Sequence, residues 1–356
     1  MKKKNRFPYL IKKVFFNTKV FLLMSAFLMI FFSCTKKTSE KVIPVKQNSI
    51  TIGFSIDTLA IERWRRDTDV FLATAKELGA DVIVQNAGNS IDEQIRQIQY
   101  LIDKNVNAIV IVAKQADSLT EVIRNATSNN IPVISYDRLI LNASIDLYLT
   151  IDSEKVGEKM AKEIVKRSPM GTLYLMLGPK ADFNMSMIKS GVEKVIHSSP
   201  LHIGEVFYTD DWNYDLSYNQ MISYLREDKI PNAIICGNDS VANSVIQAIS
   251  ELKPDANIFI AGQDADIVNC QHIVNSKQTV TVYKPITELA KQAAYCAVRL
   301  SKGASAEELS LINGTINNGY SDIPTCYLEP VAVTKENIDE VIINSGFHSQ
   351  EEVYRK

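Results

Sequence analysis

Eight polar groups stand where short apolar runs end, and their side-chain types define the chemistry open to the chain. In order they are Asp57, Glu62-Arg63-Trp64, Asp137-Arg138, Asp182 with Asn184, Asp211-Trp212, Asn238-Asp239, Gln263-Asp264 and Lys284. Carboxylates accept hydrogen bonds, Arg and Lys donate them, and Asn does both. That mixture suits a ligand whose hydroxyls also donate and accept, as a sugar's do. Trp64 and Trp212, the two tryptophans of the chain, could cover its apolar C–H faces. Taken singly, each position has a structural alternative: an ion pair at Asp137-Arg138, a helix N-cap at Asn238-Asp239, a turn at Asp264, a solvated charge at Lys284. For Asp57, Glu62 and Trp64 that alternative is as strong as the functional one. The recurrence of such groups at successive strand ends is what favours a common site. The candidate ligand-binding residues are Arg63, Asp137, Arg138, Asn184, Trp212, Asn238, Asp264 and Lys284.

The elements that must position them follow a repeating pattern. Residues 49–56 read as a strand and 61–78 as a helix; 81–85, 108–112 and 133–136 read as strands, with helices over 90–104 and 118–129 between them. The pattern restarts with a strand at 147–151 and a helix at 154–167. Further strands are predicted at 172–177, 203–208, 233–236, 258–261 and 279–283, with helices over 186–197, 215–226, 241–252 and 266–275. A last helix covers 286–300. Alternation of this kind predicts an α/β chain of two doubly wound parallel-sheet lobes. In such sheets ligands bind beyond the carboxyl ends of the strands, where the eight groups lie.

Several chemistries are absent. No GxGxxG or GxxxxGK[ST] occurs, so neither a dinucleotide turn nor a P-loop is available. There is no GxSxG or HExxH, and the four histidines, His197, His202, His272 and His348, lie away from the carboxyl ends of the predicted strands in sequence. An enzymatic alternative would pair Asp137 with Asp264 as acid and base. Each carboxylate of the set, however, has a cationic or amide neighbour, and such pairing keeps carboxylates ionised instead of raising one to an acid. No catalytic residue, cofactor or metal is assigned. Cys236, Cys270, Cys296 and Cys326 form no CxxC pair and stand near no His at ligand spacing, so they read as buried small residues.

The chain has 356 residues, 46% hydrophobic and 22% charged, enough for at least one full core. Its net charge of −2 conceals an asymmetry. Residues 1–33 carry seven Lys or Arg and no acid, which leaves the remainder at 32 Lys and Arg against 41 Asp and Glu, a balance of −9. A body so acidic argues against a nucleic-acid partner. The basic stretch runs into the apolar residues 20–32 and then Ser33-Cys34. This apolar run is shorter than the ~20 residues of a bilayer span and reads as an export signal. Residues 34–48, rich in Lys, Ser and Thr, follow as a flexible tether.

The blocks Ile52-Gly53-Phe54-Ser55-Ile56-Asp57, Glu62-Arg63-Trp64, Tyr136-Asp137-Arg138, Glu154-Lys155-Val156-Gly157-Glu158, Asn238-Asp239, Gly262-Gln263-Asp264-Ala265-Asp266 and Val282-Tyr283-Lys284-Pro285-Ile286 resemble those of the bacterial D-xylose-binding proteins. These belong to the ribose- and galactose-type periplasmic sugar-binding family. The resemblance runs from about Ile50 to His348. It implies a type I periplasmic-binding-protein fold, with two lobes joined by a three-segment hinge near Ile151, Lys284 and Tyr320. The lobes would then be 49–151 plus 285–320 and 152–284 plus 321–347. Arg63, Asp137 and Arg138 would come from the first, and Asn184, Trp212, Asn238 and Asp264 from the second, with Lys284 in it or at the hinge. It further implies capture of D-xylose or a related pentose for an ABC-type importer's permease or, alternatively, a sensor kinase ectodomain. Ser33-Cys34 resembles a lipoprotein signal, with Cys34 lipidated and the protein exported and anchored to the membrane, facing the periplasm or cell exterior. The sequence departs from the family pattern at Ser153 and at Phe183.

Overall fold

The computed structural model describes residues 49–355; the predicted export signal, Cys34 and the tether lie outside them. Strand β1 (Ile50–Ile56) carries Ile52, Phe54 and Ile56 with no exposed surface, because it is an interior strand covered on both faces. It pairs in parallel with β2 (Ala80–Asn86) and β3 (Ala108–Val112). Beyond β3 follow β4 (Val133–Tyr136) and β5 (Leu147–Ile151), again parallel. The second sheet is built from β6 (Gly171–Leu177), β7 (Leu201–Tyr208), β8 (Ala233–Cys236), β9 (Phe259–Gln263) and β10 (Val280–Tyr283). Three late strands complete the two sheets: β11 (Gly314–Asn317), β12 (Asp322–Leu328) and β13 (Val331–Val333).

The two sheets share one topology. The first is ordered β11-β12-β5-β4-β3-β1-β2 and the second β13-β10-β9-β8-β6-β7. In each, the first strand lies between the second and the third, so the winding direction reverses there and a crevice opens at the strands' carboxyl ends. Both sheets are mixed, not purely parallel, because β11 and β13 pair antiparallel at the edges.

The chain passes from the first sheet to the second between Ile151 and Ser153, and back through Lys284 and Pro285 into the helix Ile286–Ser301. The expected third crossing near Tyr320 is corrected. Residues 322–328 stay in the first sheet, parallel to β5 with Cys326 opposite Leu149, and the chain leaves after Leu328. Tyr320 sits in the turn of the β11–β12 hairpin, where Gly319 has φ 86°. Turn residues mark a hairpin tip and an interlobe linker alike, so local composition could not separate them.

The helices Ser153–Arg167 and Phe183–Ile196 pack backbone to backbone in the second lobe. A Cβ at Gly157 would stand 2.0 Å from the Ile188 carbonyl oxygen, and one at Gly191 2.0 Å from that of Glu154. The glycine of the Glu-Lys-Val-Gly-Glu block is thus required by close packing. Polar residues before several helices serve as N-caps: Asp152 accepts from Lys155 N, Asp182 from Asn184 N, and Asn238 from Val241 N.

Candidate binding cleft

At the end of β4 the chain turns through Asp137, whose φ is 64°. A left-handed backbone costs about 1–3 kcal/mol in a residue with a Cβ and persists only where its surroundings hold it. Here Asp137 N donates to Leu149 O at 2.7 Å, while its carbonyl accepts from Tyr148 OH at 2.8 Å and Thr150 Oγ1 at 2.9 Å. The turn directs the carboxylate at the Arg63 guanidinium, with which it pairs through Nη2. Asn184 Nδ2 of the second lobe donates to Asp137 Oδ1 at 3.1 Å.

Arg138 is held from both lobes. Its Nη1 bonds Asp57 Oδ2 at 2.5 Å and the Ala113 carbonyl at 3.1 Å, and its Nε meets Asp182 Oδ2 at 2.8 Å. Burial alone would lower the pKa of Arg138, but the facing Asp182 and Asp57 carboxylates more than reverse this. The same holds for Arg63, where burial is outweighed by Asp137, Asp67 and Asp264. Both guanidiniums lie over the Trp64 ring, at 4.5 and 5.4 Å from its centroid. Burial pushes Asp137 upward, yet Arg63 and Lys284 hold its carboxyl below the ordinary value. Burial raises Asp182, against the pull of Arg138.

The second lobe closes the opposite wall. Asp211 and Trp212 each have φ 54°, a conformation that lays the indole on Gly178, where a Cβ would meet Trp212 Cη2 at 2.3 Å. Asn238 caps the helix Asp239–Leu252 through Oδ1, at 2.9 Å from Val241 N. Asp264, with φ 102°, pairs with Lys284 Nζ at 2.6 Å and faces Arg63 Nη1 at 3.8 Å. On the rim, Lys114 Nζ of the first lobe reaches Asp211 Oδ1 at 2.6 Å.

All eight sequence-predicted residues line one cavity between the lobes. Trp64, Asp182 and Gln263 line it too, although they were not among the eight. Trp64 was signalled by its place after Arg63, and Asp182 by its spacing from Asn184. Asp57 and Asp67 act behind the surface, on Arg138 and Arg63 respectively. Ser153 and Phe183, where the sequence departs from the family pattern, do not line the cavity. Phe183 instead packs against the apolar cluster of the first lobe.

The site is polar and incompletely satisfied. Trp64 Nε1, Asn184 Oδ1 and Trp212 Nε1 are buried without a hydrogen-bond partner. Each such atom costs about 1–3 kcal/mol unless a ligand supplies the bond. An acid–base pair of Asp137 and Asp264 fits poorly, because Asp137 is held ionised and Asp264 is paired with Lys284. Among the described residues no cluster of His, Cys, Asp and Glu could hold a metal, and the four cysteines are buried and free. No helix among them is long and apolar enough to cross a membrane.

The family described as periplasmic binding protein domain matches residues 52–305. The chain is similar to the D-xylose-binding periplasmic protein of Haemophilus influenzae, with 40% identity over 310 residues, 86% of this chain and 92% of that protein. Its similarity to the D-xylose-binding periplasmic protein of Escherichia coli is 37%, over 85% of this chain and 92% of the relative. Among solved structures it resembles an ABC transporter solute binding protein from Clostridium phytofermentans with bound β-D-glucose. There the TM-score is 0.79 and the identity 27%, with 85% of this chain and 99% of the other covered. All three are described as binding proteins.

Proposed function

The chain belongs to the periplasmic binding protein family, and we propose that it captures a monosaccharide, D-xylose first, between its lobes and delivers it to the permease of an ABC-type importer. The observation that carries this reading is the convergence of Arg63, Asp137 and Arg138 with Asn184, Trp212, Asn238, Asp264 and Lys284 on one cavity. Two relatives at 40% and 37% identity, both D-xylose-binding by description, support the choice of sugar. Charge-assisted hydrogen bonds contribute about 1.5–3 kcal/mol each, so a few suffice for micromolar affinity at about −8 kcal/mol.

In this mechanism the sugar bonds first to one lobe, and closure brings the other lobe's groups onto it. Asn184 to Asp137, Arg138 to Asp182 and Arg63 to Asp264 already cross the cleft. Ligand favours closure only by its differential affinity for the closed form, and the unpartnered indole and amide atoms offer that difference. The closed shape is the form that the permease would recognise.

The test is a titration of the protein with D-xylose, L-arabinose, D-ribose, D-glucose and xylobiose, read by tryptophan fluorescence and thermal shift. A saturable response to D-xylose is expected; silence toward all five sinks the reading. Membrane attachment through Cys34 rests on Ser33-Cys34 behind the apolar run. Cys34→Ser is expected to move the protein from the membrane to the soluble fraction, and an unchanged distribution would remove the anchor.

A further inference from the structure

After β13 the chain returns toward the cleft, bringing Phe347 and His348 against the turn that carries Asp264. His348 is 3% exposed. Its Nε2 lies 2.8 Å from the Ala265 carbonyl oxygen and its Nδ1 3.3 Å from Arg66 Nη2. Arginine has no acceptor, so Nδ1 must accept and Nε2–H must donate to Ala265. The two neighbours thus select one neutral tautomer. The Phe347 carbonyl accepts from Arg66 Nη1 at 3.2 Å, and the guanidinium lies 4.6 Å over the Phe347 ring. That ring meets Tyr283, the residue before Lys284, edge-on at 4.9 Å. Arg66 belongs to the first-lobe helix Glu62–Glu77, one turn after Arg63, whereas Phe347 and His348 pack with the second lobe.

The carbonyl held by His348 lies in a turn that needs support. Asp264 at φ 102° and Ala265 at φ 53° are successive residues with a Cβ in the left-handed half of backbone space. Asp264 N donates to Val282 O at 2.9 Å, Ala265 N to Thr281 Oγ1 at 3.1 Å, and Asp266 N to Asp239 Oδ2 at 3.0 Å. The Ala265 carbonyl takes the His348 bond and a long contact from Cys270 Sγ at 3.5 Å.

We infer that His348, braced by Arg66 of the other lobe, is a positioning residue for Asp264, clasping residues 264–266 in the binding geometry and tying that turn to the first lobe. The inference rests on the proposed function in that Asp264 touches the sugar. It also implies a pH response. Burial holds the His348 imidazole below its ordinary value, and Arg66 adds to this, while the Ala265 carbonyl, Glu62 and Glu352 pull the other way. Around this contact, Arg66 pairs with Glu62 at 3.3 Å and acts on Asp266 of the turn, Cys270 Sγ approaches the same Ala265 carbonyl, and Tyr283 lies beyond the Phe347 ring. A proton on Nδ1 would face the Arg66 cation and release the tie to the first lobe, although Nε2–H can still donate to Ala265. Because the clasped state disfavours that proton, affinity is full above the ordinary histidine value of about 6.5 and falls as pH drops below it.

The experiment has two arms, both on the full chain. Amide hydrogen exchange over residues 264–266, measured without sugar, is expected to quicken in His348→Ala and Arg66→Ala. His348→Gln should stay near wild type, since its amide can donate to Ala265 and accept from Arg66. In titrations with D-xylose at pH 8, His348→Ala is expected to weaken binding roughly three- to tenfold while His348→Gln retains it. At pH 5.5 the glutamine variant should lose less affinity than wild type. Unchanged exchange in His348→Ala, or a glutamine variant as impaired as the alanine one, overturns the inference. If the wild-type protein answers to no sugar, the proposed function fails and the exchange arm still decides the clasp.

Discussion

The two lobes share a strand order yet bring different chemistry to the cleft: both guanidiniums come from the first, and all the side-chain amides from the second. The first contributes the charged residues Arg63, Asp137 and Arg138, with Asp57 and Asp67 bracing the two guanidiniums and Trp64 beneath them. The second contributes neutral Asn184, Trp212 and Asn238 beside two carboxylates, Asp182 and Asp264, with Lys284 at the crossing. A common topology brings strand ends to corresponding places, and the residue type at each end is then free to differ. In the first lobe Arg63 and Arg138 each meet a carboxylate of their own lobe, Asp137 and Asp57, before any ligand arrives. Atoms without a hydrogen-bond partner lie on both sides of the cleft, Asn184 Oδ1 and Trp212 Nε1 in the second lobe and Arg63 Nε and Trp64 Nε1 in the first. Hydrogen-bonding sites of this kind reject analogues that lack the matching hydroxyl.

The sharpest way to break this comparison is Asp264→Ala. It removes the carboxylate that faces Arg63 from the second lobe and leaves Lys284 buried without its partner, a loss of about 2–5 kcal/mol for such a pair. D-Xylose affinity by calorimetry should fall by roughly a hundredfold or more with the circular dichroism unchanged. Unaltered affinity would mean that the pocket is misplaced. Gly157→Ala acts on the second lobe's frame alone. Its Cβ would press on the Ile188 backbone, costing about 1–3 kcal/mol in a denaturant melt, and hydrogen exchange in β1 and β3 should stay as it was. A variant as stable as wild type would show that the helices can part at little cost.

Trp212→Phe keeps a ring against Gly178 but deletes the unpartnered Nε1–H, and should weaken D-xylose about tenfold with the melting temperature unchanged. Equal affinity would assign the indole a stacking role only. For the first lobe the informative group is Asp67, which burial raises to about 7 against the pull of Arg63. The folded state therefore holds a proton there that the unfolded chain has lost above about pH 4. Stability from this group is present at low pH and is lost as pH rises toward 7. The melting temperature of wild type minus that of Asp67→Asn should decline by a few degrees between pH 5 and 8. A flat difference would refute the buried, proton-holding carboxyl. Smallest is Lys114→Ala at the rim, where the Asp211 side chain is 72% exposed, so affinity should drop about fivefold at most. A hundredfold loss would make this rim contact a principal part of closure.

Asp137, Arg138, Asn238 and Asp264 were legible because each follows at once, or nearly so, on an apolar β-branched run whose end can be read locally. For Asn238 the cap and the place in the cavity wall do not compete, since its Oδ1 caps a helix while the residue lines the cavity. Asp57 could not be assigned, because its partner Arg138 lies 81 residues away and no periodicity links them. His348 is remote from the strand ends in sequence and packs against one of them in the fold. The β11–β12 hairpin was hidden by a turn whose Asn and Gly residues suit a linker equally well.

By itself, the sequence determined two rounds of alternating strands and helices, and with them the strand ends at which polar residues gather. Hydrophobic periodicity and turn chemistry are local, and the crevice at a reversed winding follows from them. Only the tertiary structure decided which carboxylate meets which guanidinium, where the chain last crosses between the sheets, and that Asp137, Asp211, Trp212 and Asp264 adopt left-handed backbones. Those outcomes depend on pairings between distant segments, whose combined burial and hydrogen bonding outweigh what any short stretch would choose alone.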